Sequence, residues 1–293
     1  PGNWFERTTN RMGRGCAESM ESMARLREIC KDVRADIVRM TAAAGSGHPG
    51  GSLSAVEAMT VLYFNVMNHR PAEPEWPDRD RFFLSKGHAC PVLYSVMARS
   101  GYFPVEELLT LRKCGTRLQG HPSCKTLPGI EVSSGSLGQG LSIANGFALS
   151  AKINRKDYRA YCLMGDGELQ EGQIWEAIMT AAHYKLDNVC AIVDYNGLQI
   201  DGDVEKVMGL AQNKQKWESF NWNVIEADGH DLTALQAAYE SAARTKGKPS
   251  VIIMKTIKGK GISFMENVAG WHGKAPNSEE LRQALAEIYG KEN

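Results

Sequence analysis

The sequence predicts an α/β protein, with a parallel sheet covered by helices on both faces. Two observations carry this. Short runs rich in Val, Ile and Leu alternate with segments of helical periodicity along most of the chain. The runs at 161–164, 189–193 and, within 250–257, 251–254 are continuously apolar rather than alternating, as in strands buried on both faces. The chain has 293 residues and shows no internal repeat, low-complexity tract or linker after residue 20. We therefore expect a flexible arm over 1–20 and one domain over 21–293.

Taken in order, the N-terminal P-G-N-W-F-E-R-T-T-N-R-M-G-R-G lacks the apolar stretch of a signal peptide and reads as a mobile arm. Glu21 to Ala44 is an amphipathic helix, with Leu26, Ile29, Val33, Ile37 and Met40 on one face. Gly45-Ser46-Gly47-His48-Pro49-Gly50-Gly51 ends it. These residues contain a G-x-G-x-x-G spacing. A dinucleotide fingerprint, however, follows a strand, whereas here a helix comes first and Pro49 interrupts the glycines. The loop is better suited to presenting His48, against the plainer reading of a helix stop with an exposed His. Ser54 and Glu57 have capping-box spacing before a helix carrying Val56, Met59, Leu62, Tyr63 and Val66.

Residues 68–80 are polar and Pro-rich, hence a loop. Asp80 to Ser85 is a strand, with Lys86-Gly87-His88 at its carboxyl end and a helix from Cys90 to Arg99. Pro104 at the first helical position predicts a helix to about Lys113. A long irregular segment then carries Gly120-His121-Pro122. Gly135, Gly138 and Gly140 lead into a helix ending near Lys152. That glycine-rich start suits an anion or cofactor contact, or close packing through small residues, or both.

Tyr161 to Met164, the turn Gly165-Asp166-Gly167, the helical face Ile174, Ala177, Ile178 and Ala181, and the run Val189 to Val193 make a strand–helix–strand unit. Parallel strands joined by one helix usually lie side by side. Asp166 and Asn196 then share the carboxyl edge of the sheet, where such sheets bind ligands. One carboxylate, one amide oxygen and a backbone carbonyl after Asn196 suit a hard cation that keeps other ligands from water and phosphate. Gly165 and Gly167 let backbone amides approach anionic oxygens. The residues read as a Mg²⁺–diphosphate site, against the simpler alternative of a strand-end turn.

Trp222 to Ala227 is a further strand, Leu232 to Lys246 a helix, and Ser250 to Ile257 a strand. Lys258-Gly259-Lys260-Gly261 lacks the Walker A pattern and reads as a mobile surface loop. Trp271-His272-Gly273 follows, and Asn277 and Glu280 cap a last helix to about Tyr289.

Thirty-four basic and thirty-four acidic residues balance, so nothing points to nucleic acid or an anionic membrane. The seven Cys are odd in number and form no C-x-x-C pair. That fits a reduced, cytoplasmic setting in which each Cys is a small buried hydrophobe. No apolar run approaches the roughly 20 residues of a membrane helix.

Several of these stretches together resemble transketolase. They are S-G-H-P-G-G, R-D-R-F-F-L-S-K-G-H-A, G-S-L-G-Q-G-L-S, G-D-G-E-L-Q-E-G-Q-I-W-E-A, D-Y-N-G-L-Q-I-D-G and T-I-K-G-K-G-I-S-F-M-E-N, collinear over about residues 25 to 275. The resemblance is to the N-terminal, thiamine-diphosphate-binding domain of that family, and it implies roles residue by residue. Asp166, Asn196 and the main-chain oxygen of Leu198 would hold Mg²⁺ or Ca²⁺. Gly165 and Gly167 would lie at the diphosphate, Gly135 and Leu137 near the aminopyrimidine, and Ile200 against the thiazolium. His88 and His272 would touch both the diphosphate and the substrate. His48 and His121 would bind the ketose hydroxyls and move protons. Glu171 and Glu176 resemble acidic residues at a subunit interface beside the cofactor.

In that family a pyrimidine-binding domain and a C-terminal domain follow, carrying the Glu that activates the cofactor and the Arg and Ser residues that hold a sugar phosphate. Neither domain is in these residues. The resemblance therefore implies one subunit of a split transketolase, in a dimer of heterodimers with a C-terminal subunit. That enzyme would transfer a two-carbon ketol unit from a ketose donor to an aldose acceptor. Two alternatives stand beside it. One is another thiamine-diphosphate enzyme, like 1-deoxyxylulose-5-phosphate synthase or the α subunit of a 2-oxo acid dehydrogenase. The other is a non-catalytic module that keeps the cofactor fold.

Overall fold

The computed structural model describes residues 16–211 and 213–290. The expected arm lies outside the described residues over 1–15. From 16 onward the chain is helical, because α1 spans Cys16–Ala44 and so begins inside the segment expected to be arm. Short α2 (Pro49–Leu53) and α3 (Val56–Val61) follow, and α3 runs into a wider turn over Leu62–Val66. Then come β1 (Arg81–Leu84), α4 (Cys90–Ser100), α5 (Gly140–Ile153), β2 (Ala160–Gly165), α6 (Gly172–His183) and β3 (Val189–Tyr195). A small ribbon of β4 (Leu198–Gln199) and β5 (Gly202–Asp203) leads to α7 (Val204–Met208) and α8 (Asn213–Ser219). The chain continues through β6 (Asn223–Asp228), α9 (Leu232–Arg244), β7 (Ser250–Lys255) and α10 (Ser278–Tyr289).

The main sheet has five strands in the order β1-β2-β3-β7-β6, and every pairing is parallel. β2 and β3 are neighbours joined through α6, with Gly165 level with Asp194. The expected crossover is therefore present, and the residues after both strands emerge on one edge. Alternation along β2 divides two cores. Tyr161 and Leu163 face a layer that includes Leu26, Val33, Met59, Tyr94, Leu235 and Tyr239 from α1, α3, α4 and α9. Cys162 and Met164 face Leu141, Ala144, Ile174, Ile178 and Trp217 from α5, α6 and α8. Burial on both sides explains why these strands are apolar throughout.

Three local expectations are corrected. Ser54 and Glu57 form no capping box: Ala55 precedes α3 without a side-chain cap. The Ser54 hydroxyl instead donates to Asp194 (2.6 Å), and Glu57 pairs with Arg34 and His230. The segment after Pro104 is a 3₁₀ turn over Val105–Thr110 rather than an α-helix, and Arg112 at φ 61° closes the run. Cys114 and Cys124 are exposed thiols, whereas Cys30, Cys90, Cys162 and Cys190 are buried as expected. Asn277 and Glu280 do form the capping box read from sequence. Among the described residues no helix is long and apolar enough to cross a membrane.

The double-sided core yields a stability prediction. Leu163→Ala, at a fully buried position in the interior strand β2, should cost about 2–5 kcal/mol. Ile153→Ala, at a site 72% exposed, should cost less than about 0.5 kcal/mol. Urea unfolding of both variants checks the contrast, with an unchanged denaturant slope as the condition.

Candidate active site

The carboxyl edge of the sheet collects the groups singled out from sequence. Asp166 follows β2 in a tight turn and is buried. Its Oδ1 accepts from the Gly167 amide (2.8 Å) and its Oδ2 from the Gly197 amide (2.5 Å), so it ties the two strand ends together. Burial first, and then the neighbouring Asp194 carboxylate, push Asp166 up to about 6. A divalent cation at the same oxygens would favour the charged form.

Asn196 follows β3. Its Nδ2 donates to Asp194 (3.2 Å), which turns its Oδ1 the other way, toward the Leu198 amide (3.1 Å). The Leu198 carbonyl lies on the same loop. Among the described residues no trio of His, Cys, Asp and Glu side chains could hold a metal. The donor set is instead one carboxylate, one amide oxygen and one main-chain carbonyl. That set fits a hard cation whose remaining ligands come from phosphate and water.

Asp194 itself, one residue inside the strand end, is fully buried. It receives the Lys86 ammonium (2.5 Å), the Ser54 hydroxyl (2.6 Å) and the Thr256 hydroxyl. Burial pushes this carboxyl up, but Lys86 and the hydroxyl donors more than reverse that and hold it below the ordinary range. Lys86 also donates to the Gly51 carbonyl (2.8 Å), which locks α2 to the sheet edge.

The histidines meet above this edge. The His48 ring lies 5.3 Å from His88, 5.5 Å from His272 and 6.5 Å from His121, and His88 lies 5.0 Å from His272, centroid to centroid. Burial above all, with Arg112 and other cations nearby, lowers His48 to about 4. Burial and then Lys86 lower His88 to about 2, and burial and then Lys258 lower His272 to about 3. His121 is lowered by burial and Arg112. These rings are neutral at pH 7, each with one donor and one acceptor nitrogen.

Lys258 joins the two halves. Its ammonium donates to the Leu198 carbonyl (3.2 Å) and lies 2.8 Å from His272 Nδ1. An ammonium only donates, so Nδ1 is the acceptor and Nε2 carries the ring proton. The expected mobile surface loop at 258–261 is thus corrected: Lys258 is 2% exposed. Burial first, and then Lys86, bring its pKa down to about 8. Sequence inspection missed it because a Lys between glycines reads as solvated until its partners are known.

Two more residues were missed. The buried Glu168 carboxylate accepts from the Gly138 amide (2.9 Å), the Gly165 amide (3.0 Å) and the Ser85 hydroxyl, pinning the glycine-rich start of α5 beside the Asp166 turn. The available signal was an acidic residue inside a turn already assigned to phosphate. Arg112 places its guanidinium 3.5 Å from His48 Nδ1 and 3.0 Å from Ser46 Oγ, at the rim of the histidine cluster.

Of the other expected residues, Gly135 lies against His121, since a Cβ there would stand 3.6 Å from its ring. Leu137 and Ile200 are surface side chains, 36% and 70% exposed. Glu171 precedes α6 on the surface and packs near Gly138, and Glu176 is exposed on α6.

The profile described as "Transketolase, thiamine diphosphate binding domain" matches residues 26–293. The chain belongs to the transketolase family. Two similar proteins are each named as one subunit of such an enzyme. The 6-deoxy-6-sulfo-D-fructose transketolase subunit of Clostridium sp. is 45% identical over 83% of this chain and 89% of its own length. An apulose-4-phosphate transketolase subunit of Phocaeicola vulgatus is 42% identical over 87% and 90%. The transketolase structure from Leishmania mexicana superposes with a TM-score of 0.85 at 33% identity, covering 90% of this chain and 41% of that one. The chain thus spans about two fifths of that transketolase, and it carries the thiamine-diphosphate-binding fold.

Two measurements check the site's electrostatics. Unfolded His binds its proton near pH 6.5, whereas folded His48, His88 and His272 bind theirs well below it. Between those values the unfolded chain holds more protons, so these rings cost stability as pH falls below 6.5. NMR titration should find all three neutral at pH 5. Lys86→Met leaves buried Asp194 without its cation and should cost about 3–5 kcal/mol. Adding Asp194→Asn should recover part of that loss in urea unfolding.

Proposed function

We propose that this chain is the cofactor-anchoring subunit of a two-subunit transketolase, and that it acts on a ketose donor and an aldose acceptor. One observation carries the reading. Lys258 joins the Leu198 carbonyl of the cation-type donor set to the His272 ring of the histidine cluster, so anchor and proton-handling groups form a single site. Family membership supports thiamine diphosphate as the cofactor.

Asp166, Asn196 and the Leu198 carbonyl would hold Mg²⁺ or Ca²⁺. Gly165, Gly167 and the Lys258 ammonium would face the diphosphate, with His88 and His272 beside it. When bound, thiamine diphosphate supplies the carbon nucleophile that carries the two-carbon unit. The chain's own residues bind, orient and move protons. His48 and His121 would hydrogen-bond the hydroxyls of the donor sugar. The proton on Nε2 of His272 faces away from Lys258 and could be given to, or reclaimed from, a substrate oxygen. Arg112 adds a cation at the rim for an anionic substrate group. Gly135, Leu137 and Ile200 would flank the cofactor's rings; an exposed Ile and Leu suit cover by cofactor or partner.

A partner polypeptide would supply the pyrimidine-binding domain and its activating Glu. The two relatives of similar length are each named as subunits, which supports this arrangement. Glu171 and Glu176, both exposed, would face the partner in a dimer of heterodimers. Cys30, Cys90, Cys114, Cys124, Cys162 and Cys190 are free thiols, which suits a cytoplasmic setting.

Isothermal calorimetry of this chain should show Mg²⁺-dependent thiamine diphosphate binding that Asp166→Ala abolishes; unchanged affinity in that variant would refute the metal assignment. With the partner polypeptide, thiamine diphosphate and Mg²⁺ present, ketol transfer between a ketose and an aldose should appear. His272→Ala should then lower turnover by about 100-fold or more while the melting temperature stays near that of the parent. Absence of transfer with every ketose–aldose pair would sink the proposal.

A further inference from the structure

A second buried cluster has its own polar partners, apart from the proposed ligands. Arg34 of α1 and Glu57 of α3 form an ion pair, and the second Glu57 oxygen lies 3.1 Å from His230 Nδ1. The other His230 nitrogen, Nε2, accepts from the Ile257 amide (2.8 Å). A backbone N–H can only donate, so Nε2 is the acceptor and Nδ1 carries the proton, which it gives to Glu57. Arg34 has a second bond, from Nε to the Lys260 carbonyl (3.1 Å).

The two backbone groups held in this way, Ile257 N and Lys260 O, flank Lys258. The same segment allows no easy alternative path. Gly259 and Gly261 have φ of 79° and 92°, and a Cβ would stand 2.3 Å from the Met265 carbonyl at the first and 2.7 Å from Arg34 Nε at the second. Burial raises the Glu57 carboxyl, but the His230 hydrogen bond and Arg34 more than offset this and hold it below its ordinary range. Three polar side chains, each mostly buried, are thereby satisfied among themselves and on one stretch of backbone.

We infer that Arg34, Glu57 and His230 are positioning residues: they clamp the backbone on both sides of Lys258 so that its ammonium reaches the Leu198 carbonyl and His272 Nδ1 together. Their effect on the site passes through Lys258, since their side-chain hydrogen bonds and ion pairs go to one another and to the backbone of Ile257 and Lys260. The inference rests on the cofactor site proposed above. It adds that diphosphate affinity and the protonation pattern of His272 depend on a hydrogen bond made at Ile257.

Two substitutions separate this from a general packing role. In His230→Asn the shorter amide can still donate to Glu57 but leaves the Ile257 amide unpaired. In His230→Gln the longer amide places an oxygen where Nε2 stood and keeps that bond. Calorimetry of thiamine diphosphate with Mg²⁺ on the full chain should give His230→Gln within about threefold of the parent. His230→Asn should bind at least about tenfold more weakly, the range seen when outer hydrogen-bond partners of a cation site are lost. In parallel, hydrogen exchange at the Ile257 amide and the ¹⁵N shifts of His272 should change in His230→Asn and stay near the parent in His230→Gln.

Parent-like affinity in His230→Asn would overturn the inference. So would equal weakening in both variants, or weakening that only tracks the melting temperature. If the parent chain itself binds no thiamine diphosphate, the cofactor proposal fails separately. The clamp is then decided by the His272 shifts, and unchanged shifts in His230→Asn would refute it.

Discussion

A carboxylate with no exposed surface organises this molecule. Asp194 lies one residue inside the end of the central strand β3, and its two oxygens take up Lys86 from beyond β1, Ser54 from between α2 and α3, Thr256 from beyond β7 and Asn196 from the next loop. A buried charge tolerates no loss of partners, so these groups hold one another in place. Asn196 is turned so that its amide oxygen faces away from Asp194, and α2, which follows His48, is drawn to the sheet edge through Lys86 and Gly51. The groups proposed to meet the ligand are held in place by this buried set.

The electrostatics follow from that arrangement. Two buried ammonium groups, Lys86 and Lys258, sit beneath closely spaced imidazoles and make a further positive charge unfavourable there. Burial lowers the imidazole pKa values most, and these cations lower them further; neutral rings are what hydrogen bonding to sugar hydroxyls and stepwise proton transfer would call for. The same cations favour a diphosphate. In the proposed reading, one pair of lysines would attract the anion and add to the effect of burial in keeping the rings neutral. Lys258 can do so only if its backbone is held from behind, which is where Arg34, Glu57 and His230 enter.

Much of the architecture was legible because burial on both faces writes itself into composition. The centres of β2, β3 and β7 are continuous apolar runs, and the α6 crossover shows the period of a helix packed on one side. Asp166, Asn196 and the four histidines each stood at a strand end or in a glycine-rich loop, where side chains project from rigid elements. Two misreadings share one cause, partners distant in the chain. Ser54 and Glu57 have the spacing of a helix cap, yet their partners are Asp194, Arg34 and His230, far away in the chain. Lys258 sits before glycines that look like loop residues, yet those glycines are there because Met265 and Arg34 leave no room for a Cβ. The segment after Pro104 has helix-forming residues but tightens into a 3₁₀ turn before Arg112.

The sequence alone determined that the sheet is parallel, that β2 and β3 are neighbours, that Asp166 and Asn196 share its carboxyl edge, and which family's motifs are present. These are local properties, set by periodicity and by turn chemistry over a few residues. Only the tertiary structure decided that Lys258 is buried and shared between a carbonyl and an imidazole. The same holds for Asp194 as a hub and for the clamp of Arg34, Glu57 and His230 on Ile257 and Lys260. Each depends on groups from separate elements of the fold that close packing desolvates together. Desolvation, which no spacing in the chain records, turns ordinary polar residues into an ordered site.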